Sequence, residues 1–359
     1  MKVLITVPRL SLPGGVANYY RTLRSYLDAD KVYLEIGRVP GECGRWRKLC
    51  RLLGDYWRFH RLLSVGSFDL VHVNPSMDRH AMLREALLIL IAKAHQRRVL
   101  VYYRGWHPDA LAAVHRRFPR LFRRIYGRVD ASIVLAREFR EVLHGLDVSE
   151  PIFLETTVVD DQVFATASDR AAARDSCNIL FLSRLDTGKG VPEALAAFAE
   201  LQLRRPDARL TIAGDGPERA AAEQEVARRR LANVRFLGHV SGPDKARVFR
   251  EADIYLFTSL AEGMPNSVLE AMAFGLPVVT RPVGGIRDFF EDGRMGFAID
   301  SLDARVFAER LQHLADDPQL RMRIGANNRE FAASRFSASH VAARLLSIYE
   351  QVGNSSARS

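Results

Sequence analysis

Hydrophobic and polar positions along the chain fall into blocks, in which short β-branched or apolar runs alternate with longer segments of helical periodicity. In the first half, the runs that predict strands are 3–7, 71–74, 99–103 and 131–135, with helices at 16–27 and 82–95. In the second half, strands are predicted at 178–182, 209–213, 234–236, 254–257 and 277–280. This alternation is typical of parallel α/β sheets that carry helices on both faces. The fold class is therefore predicted to be α/β, with two doubly wound sheets.

The length of 359 residues agrees with two domains, at about 150 residues per domain. We expect an N-terminal domain over 1–165, a linker over 166–176 and a second domain over 177–333. A C-terminal helix over 334–352 and a disordered polar tail over 353–359 complete the predicted organisation. Since ligands of open α/β sheets bind outside the carboxyl ends of the strands, the candidate chemistry belongs in the loops after the strands.

Composition narrows the class of protein. With 26% charged and 48% hydrophobic residues, the chain is globular rather than disordered or collagen-like. Cys43, Cys50 and Cys177 are too few and too scattered for a disulfide framework or a metal site, which favours a reducing compartment. The N-terminal apolar run ends at Pro8 and Arg9, so we expect a buried strand and not a signal peptide. No apolar run reaches the roughly 20 residues of a membrane span, and we expect a soluble protein.

Positive charge is concentrated in the first half. Residues 1–165 carry 26 Lys and Arg against 17 Asp and Glu, a net charge of +9 out of +10 for the whole chain. Two basic segments in this half have apolar side chains at helical spacing: Trp46, Leu49, Cys50, Leu53, Tyr56 and Trp57 in the first, and Phe118, Leu121, Phe122, Ile125 and Tyr126 in the second. Such basic amphipathic helices can lie at an anionic membrane surface, and we expect these to do so. The alternative is that both stripes face the core of the first domain and that the arginines are merely solvated.

Two loops contain groups suited to phosphate. Gly14 and Gly15 follow the first strand and precede a helix, so their backbone N–H groups can approach an anion, although a tight strand-to-helix turn explains them equally well. Arg184 and Lys189 follow the first strand of the second domain, the lysine between two glycines. They can point at one anion, or they can be two isolated surface cations.

The segment 259–285 is the most informative. Glu262 follows a strand, a turn over 263–266 comes next, and Asn266 or Ser267 is predicted to cap a helix that contains Glu270 and ends at Gly275. Ser267 and Glu270 have the spacing of a capping box, which is the structural alternative for Glu270. A capping box explains neither Glu262 nor the turn. Two carboxylates eight residues apart suit a ligand with sugar hydroxyls at both ends and a phosphate between them.

The E-x7-E pair Glu262 and Glu270 within EGMPNSVLEAMAFGLPVV, with SRL-x3-KG before it and VGG after it, closely resembles the retaining, nucleotide-sugar-dependent glycosyltransferases of the group 1 family, which is family 4-like and includes bacterial polysaccharide enzymes. The loop GG-x-A at Gly14 and the helical C-terminal end extend the likeness over nearly the whole chain. The resemblance implies a GT-B fold, that is, two Rossmann-like domains facing across a cleft, with the last helix crossing back to the first domain.

The same resemblance implies roles for individual residues. Glu270 would hold the ribose hydroxyls, and Glu262 the hydroxyls of the donor sugar. Arg184 and Lys189 would bind the diphosphate and stabilise charge on the leaving nucleotide, so that neither a metal nor another cofactor is required. The backbone N–H groups of a turn would position the sugar and the diphosphate, and this turn consists of Gly263, Met264, Pro265 and Asn266. A loop of the other domain, with Gly14 and Gly15, would close over the phosphates.

The chain departs from the family pattern at two places. Where the family often has His-Gly, facing the donor sugar, this chain has Arg104 and Gly105, followed by His107. Either Arg104 replaces the family histidine or His107 takes its role, and both are candidate catalytic residues beside Glu262, Arg184 and Lys189. Where the family has Asn-Gly-Val-Asp, this chain reads ETTVVD at 155–160, which changes that edge of the first domain.

The resemblance implies transfer of a hexose from a GDP- or UDP-linked donor to a saccharide or lipid-linked saccharide, in bacterial surface polysaccharide, O-antigen or lipopolysaccharide synthesis. We expect a cytoplasmic protein, peripheral at the inner face of the plasma membrane. Attack from the face of the leaving group needs no side-chain base, whereas double displacement needs a carboxylate nucleophile that the sequence does not single out. The alternatives are a nucleotide-sugar epimerase or phosphorylase of the same architecture, a non-catalytic protein that binds nucleic acid or an anionic surface, and an inactive scaffold. No recognised nucleic-acid-binding module is present, so we expect no nucleic acid partner.

Overall fold

In the computed structural model, the described residues are 1–12, 14–75, 79–105, 116–148, 151–166 and 177–354. The chain forms two compact units, the first comprising Met1–Val158 with Ala338–Ser359 and the second Val159–Ser337. The predicted boundary at 165/166 thus differs from the observed division. The reason is that the N–H of Val159 donates to the carbonyl of Phe336 at 2.8 Å, which joins the start of the second unit to its end.

The first unit is built on six parallel strands in the order β2-β1-β3-β4-β5-β6. These strands are β1 Lys2–Pro8, β2 Asp30–Ile36, β3 Leu70–Val73, β4 Arg98–Tyr102, β5 Ala131–Val134 and β6 Ile152–Leu154. The helices between them are α1 Gly15–Leu23, α2 Arg45–Val65, α3 Arg79–Ala94, α4 Pro119–Ile125, followed by a 3-10 turn at Tyr126–Arg128, and α5 Arg137–Gly145. Strands β3 and β5 are buried along their whole length, as expected of a sheet that is covered on both faces.

The second unit has a sheet of the same kind, with the strand order β12-β11-β10-β7-β8-β9. Its strands are β7 Asn178–Leu182, β8 Arg209–Ala213, β9 Val234–Gly238, β10 Ile254–Phe257, β11 Val278–Thr280 and β12 Gly296–Ala298. Its helices are α6 Asp161–Thr166, α7 Val191–Gln202, α8 Arg219–Arg229, α9 Gly242–Glu251, α10 Asn266–Ala273, α11 Ile286–Phe289, α12 Ala304–Asp316 and α13 Pro318–Phe336. The predicted pair of α/β sheets is therefore confirmed.

Each sheet reverses its direction of growth once. The chain adds β2 on one side of β1 and β3 on the other, and it adds β8 on one side of β7 and β10 on the other. The crevice between such strands is the usual ligand-binding position of doubly wound sheets. In the second unit, successive side chains of β7 point to opposite faces of the sheet. Leu180 packs in the apolar cluster on one face, and its neighbours Ile179 and Phe181 pack in the cluster on the other.

The last helix, α14 (Ala338–Asn354), belongs to the first unit and is anchored there by polar contacts. The Tyr349 hydroxyl lies 2.7 Å from Nδ1 of His72, and Arg344 Nε lies 2.6 Å from Oε1 of Glu155, whose side chain is buried. Glu155 is the first residue of the segment 155–160, which departs from the family pattern. Its side chain therefore helps to anchor α14. Gly353 and Asn354 extend α14 into the predicted tail, whereas 355–359 and the linker positions 167–176 lie outside the described residues.

The two basic segments differ in how they meet the core. Helix α2 buries Asp55, Phe59 and Leu63, while its predicted apolar stripe is exposed except at Tyr56, which is half-buried and donates to the carbonyl of Arg84 at 3.3 Å. In the second segment Phe122, Ile125 and Tyr126 are buried, and Phe118 and Leu121 are exposed. The alternative that both stripes face the core is therefore wrong for α2 and correct for only part of the second segment. Within the described residues, no helix is long and apolar enough to span a membrane.

Buried His72 gives a testable pH dependence. Burial and the charge of Arg104 lower the pKa of His72 to about 3, against an opposing hydrogen bond with Asn74. Because the folded-state pKa lies below the unfolded value of about 6.5, the unfolded chain binds the extra proton between these two pH values, and stability is lost as pH falls below about 6.5. We expect His72→Gln to flatten this dependence by up to about 1.4 kcal/mol per pH unit.

The three tryptophans, Trp46, Trp57 and Trp106, all precede residue 159, so their fluorescence during urea unfolding reports the first unit. If the unfolding free energies of the parent and His72→Gln change in parallel between pH 7 and pH 4.5, His72 is not the source of the pH dependence.

Candidate active site

Three loops of the second unit converge at the carboxyl edge of its sheet, after β7, β10 and β11. The β10 loop is tied to the β7 loop on both sides of Lys189. The N–H of Leu260 donates to the carbonyl of Gly188 at 2.9 Å, and the Thr258 hydroxyl donates to the carbonyl of Gly190 at 2.6 Å. Since β7 and β10 flank the point where the sheet reverses its direction, the loops close the crevice in which such sheets bind ligands.

Lys189 and Glu262 are in direct contact in this crevice. The distance from Lys189 Nζ to Glu262 Oε1 is 2.7 Å, and the Ser259 hydroxyl donates to the same carboxylate oxygen at 2.9 Å. Both charged side chains are partly buried, which makes their interaction less screened than that of a surface pair. The structure thus holds a cation and an anion side by side, on loops from two neighbouring strands.

Two glycines allow the loops to approach so closely. Gly190 has φ +80°, and a Cβ there would lie 2.2 Å from the carbonyl oxygen of Thr258. Gly284, in the predicted VGG motif, has φ +52°, and its Cβ would lie 2.2 Å from the carbonyl oxygen of Glu262. The N–H of Gly285 also donates to the carbonyl of Gly263 at 2.8 Å. The glycine pair after β11 therefore supports the loop that carries Glu262.

Helix α10 begins differently from the sequence prediction. Its N-cap is Pro265, in an extended conformation and without a side-chain cap, and Asn266 is the first helical residue. The predicted cap at Asn266 or Ser267 is wrong, because Pro265 already fixes the backbone at the entry to the helix. The helix ends at Ala273 and not at Gly275, although Gly275 takes the left-handed conformation that follows a helix end.

Glu270 has a partner that the sequence analysis missed. Lys245 Nζ, on the first half of α9, lies 2.6 Å from Glu270 Oε1, and the carboxylate is largely buried. Glu270 is not part of a capping box, since no side chain caps α10. The position of α9 after β9 places Lys245 near the carboxyl edge of the same parallel sheet, but its pairing with Glu270 depends on the tertiary fold.

Arg184 occupies a different position from Lys189. Its guanidinium is 2.7 Å from Asp186, through Nη1 and Oδ2, and its side chain is 76% exposed. No hydrogen bond joins Arg184 to Lys189 or Glu262 in the described part of the chain. The structure therefore brings Lys189 and Glu262 together and leaves Arg184 on the surface of the same loop.

Gly14 and Gly15 lie in the first unit, where Gly14 is the N-cap of α1 and accepts a hydrogen bond from the N–H of Asn18 at 2.9 Å. A Cβ at either glycine would meet nothing within 4 Å, so the space beside this strand-to-helix turn is open. A role in phosphate binding stays a prediction.

Arg104, which stands where the family often has histidine, is held between aromatic rings. Its guanidinium carbon is 3.9 Å from the ring centroid of Tyr19 and 4.4 Å from that of Tyr102. Its Nε and Nη1 are buried and have no hydrogen-bond partner among the described residues. Burial of Tyr19, followed by the coulombic effect of Tyr102, raises the pKa of the Tyr19 phenol. His107 lies outside the described residues, so the choice between Arg104 and His107 stays open.

Within the described ranges, no group of three or more His, Cys, Asp and Glu side chains is placed to hold a metal ion. Cations that could bind phosphate lie on the loop after β7. In the set Lys189, Glu262, Lys245 and Glu270, each carboxylate is paired with a lysine and can accept hydrogen bonds from hydroxyl groups, and Lys189 can donate to phosphate oxygens.

Comparison with known proteins shows which proteins this chain resembles. Residues 168–331 match the family model of the glycosyl transferases group 1. Alpha-D-kanosaminyltransferase of Streptomyces kanamyceticus is 30% identical over 190 residues, which cover 53% of this chain and 49% of the relative. The chain thus spans about half the length of that relative. Phosphatidyl-myo-inositol mannosyltransferase of Mycobacterium leprae is 29% identical over 307 residues, covering 84% of this chain and 78% of the relative.

A solved structure extends the likeness to the whole fold. The structure of Anabaena HepE in complex with UDP and glucose superposes with a TM-score of 0.75 at 18% identity, covering 98% of this chain and 99% of that one. The two six-stranded parallel sheets are those of the GT-B glycosyltransferase fold. The chain therefore resembles the group 1 glycosyltransferases over residues 168–331 and has the GT-B fold throughout.

Gly284→Ala tests whether the glycine pair supports the Glu262 loop. Gly293→Ala is the matched control, because Gly293 also has positive φ, at +77°, but open space beside it. Both variants incur the cost of about 1–2 kcal/mol for a left-handed alanine. Only Gly284→Ala also forces the loop away, at a further cost of about 1–3 kcal/mol. We expect it to have the lower free energy of unfolding by that margin in urea titrations followed by circular dichroism. Equal losses for both variants would contradict the packing argument.

Proposed function

We propose that the protein transfers a hexose from a nucleotide-diphosphate sugar, GDP- or UDP-linked, to a saccharide or lipid-linked saccharide acceptor, with retention of anomeric configuration and without a metal. The match of residues 168–331 to the group 1 glycosyl transferase model supports glycosyl transfer. The observation that carries the proposal is the contact of Lys189 with Glu262 in the crevice beside β7 and β10.

The chemistry of the donor explains why these two side chains should touch. In a nucleotide sugar the anomeric carbon is bonded directly to a phosphate oxygen, so groups for sugar hydroxyls and groups for phosphate must be neighbours. In the proposed complex, Glu262 accepts hydrogen bonds from sugar hydroxyls while Lys189 contacts the adjacent phosphate. Arg184, exposed on the same loop, turns from Asp186 towards the diphosphate.

Glu270 serves the nucleoside end of the donor in this proposal. A carboxylate accepts two hydrogen bonds from the vicinal hydroxyls of ribose, and the contact with Lys245 orients the Glu270 carboxylate. The turn over 263–266 lies between the two carboxylates in sequence and contributes backbone N–H groups. The complex of HepE with UDP and glucose supports a nucleoside diphosphate as ligand of this fold.

The proposed reaction proceeds on one face of the donor sugar. The bond from the anomeric carbon to the phosphate oxygen breaks, the acceptor oxygen bonds to the same face, and the acceptor proton passes to the departing phosphate oxygen. Lys189 and Arg184 stabilise the negative charge that develops on the leaving diphosphate, in place of a divalent cation. No side chain is then needed as a base.

The acceptor is proposed to be lipid-linked and the process to be the synthesis of bacterial surface polysaccharide, O-antigen or lipopolysaccharide. The name of the mycobacterial relative, a phosphatidyl-myo-inositol mannosyltransferase, supports a lipid-bearing acceptor and a hexosyl donor. The excess of cations in the first unit supports peripheral attachment to the cytoplasmic face of an anionic membrane.

Nucleotide binding without metal tests the donor assignment. We expect one of the UDP or GDP series, but not both equally, to raise the melting temperature of the parent in EDTA, by mass action on the folded state. Lys189→Met should weaken that binding about 10- to 100-fold, because a hydrogen bond to a charged group contributes about 1.5–3 kcal/mol. Lys189→Arg, which keeps the charge, should retain most of the affinity.

Arg235→Met, at an exposed position of the same unit, is the control and should bind like the parent. Affinity of Lys189→Met within about threefold of the parent would show that Lys189 is not a phosphate ligand. No binding of any nucleotide to folded parent protein would contradict the donor site as a whole.

The stereochemistry of the product tests the reaction course. We expect the new glycosidic linkage to have the anomeric configuration of the donor, as measured by NMR coupling constants of the purified product. An inverted linkage would contradict attack on the face of the leaving group.

A further inference from the structure

Helix α2 presents an apolar face to solvent, opposite to the face that it buries. Trp46, Leu49, Leu53 and Trp57 follow one another at spacings of three and four residues, which places them on one side of the helix. Trp46 is 79% exposed and Trp57 59% exposed, while the core contacts come from Asp55, Phe59 and Leu63. Large apolar side chains in such a row are unusual on a surface that meets only water.

The neighbouring helices expose similar rows. Leu83, Leu87 and Leu90 are exposed on α3, and Phe118 and Leu121 are exposed at α4. The helices pack in the order α2, α3, α4, since α3 contacts both of the others. We call these exposed side chains of α2, α3 and α4 the apolar surface of the first unit.

Cations flank this apolar surface. Helix α2 carries six basic side chains, and its one acidic residue, Asp55, is buried. Arg45, Arg47, Lys48 and Arg61 form no ion pair with another described residue, and the Arg61 guanidinium lies 5.4 Å from the ring centroid of Trp57. The segment around α4 adds exposed cations at Arg116, Arg117, Arg120 and Arg124.

A groove of about 530 Å³ runs beside the C-terminal half of α2. Its walls include Val32, Leu34, Val65 and Phe68, and its cations are Lys2, Arg58 and Arg61. Apolar walls with cations beside them match an amphiphile that has an anionic headgroup.

We propose that the apolar surface of the first unit docks on an anionic phospholipid bilayer, with Trp46 and Trp57 inserted at the headgroup level and the arginines in contact with lipid phosphates. Aromatic and leucine side chains beside cations are the composition that holds helices in the plane of a membrane interface. A second copy of this chain does not fit, because the same unpaired cations would face each other. This inference names the residues that would attach the protein to the membrane. It rests on the membrane attachment in the proposed function and not on the donor site.

Vesicle flotation tests the docking directly, with the full chain and vesicles of phosphatidylcholine alone or mixed with phosphatidylglycerol. We expect binding only to the anionic vesicles, weakened by salt because exposed charges are screened. In a Trp57→Phe/Trp106→Phe variant, the remaining Trp46 should show a blue-shifted emission when those vesicles are added, since its ring leaves water.

Trp46→Ser/Trp57→Ser should bind anionic vesicles at least about tenfold more weakly, and Arg45→Gln/Arg47→Gln several-fold more weakly. The matched controls lie in the second unit, where Leu203→Ser/Leu302→Ser and Arg235→Gln/Arg323→Gln change equally exposed side chains. These controls should bind like the parent. All four variants should keep the parent's nucleotide-induced thermal shift, which separates failure of docking from failure of the donor site.

Three results would overturn the proposal. They are equal binding to neutral and anionic vesicles, tryptophan variants that bind like the parent, and concentration-dependent dimerisation that the tryptophan variants abolish. Salt-sensitive binding of single-stranded nucleic acid, with no binding to vesicles, would also overturn the proposal and would make nucleic acid the partner of this surface.

Discussion

The contact between Lys189 and Glu262 depends on the strand order of the second sheet. Because β10 pairs with β7 in parallel, the loops after β7 and β10 leave neighbouring strands at the same edge of the sheet. Backbone hydrogen bonds and the close approach at Gly190 then fix the distance between the loops. A partly buried cation and anion can persist there because each pairs with the other and the Ser259 hydroxyl also donates to the carboxylate.

The same arrangement links stability to binding. Side chains that bind a sugar phosphate must be charged and desolvated before the ligand arrives, which is costly unless they are paired. In the proposed complex these side chains would be Lys189 with Glu262 and Lys245 with Glu270, which the structure holds as two ion pairs at the sheet edge. A bound donor would form hydrogen bonds with both members of an ion pair, and these bonds would replace the lysine–glutamate contact that binding breaks. The site can therefore be ordered before the donor binds.

The sequence predicted the central strands well, because strands covered on both faces appear as continuous apolar runs, as in β3, β5 and β10. It did not reveal the edge strand β2, whose residues Asp30, Lys31 and Glu35 mask the pattern, or the three-residue strands β6 and β12. Among the site residues, Lys189 and Glu262 could be predicted from loop position and motif. Lys245 could not be matched to Glu270 from local spacing, since their contact joins two helices through the tertiary fold.

The most direct test of the account is a crystal structure of the protein with an intact nucleotide sugar of the series that it binds. The account predicts that Nζ of Lys189 lies within hydrogen-bond distance of a diphosphate oxygen. Glu262 should accept from hydroxyls of the sugar, and Glu270 from those of the ribose. A donor bound elsewhere, or with Lys189 and Glu262 still paired only with each other, would contradict it.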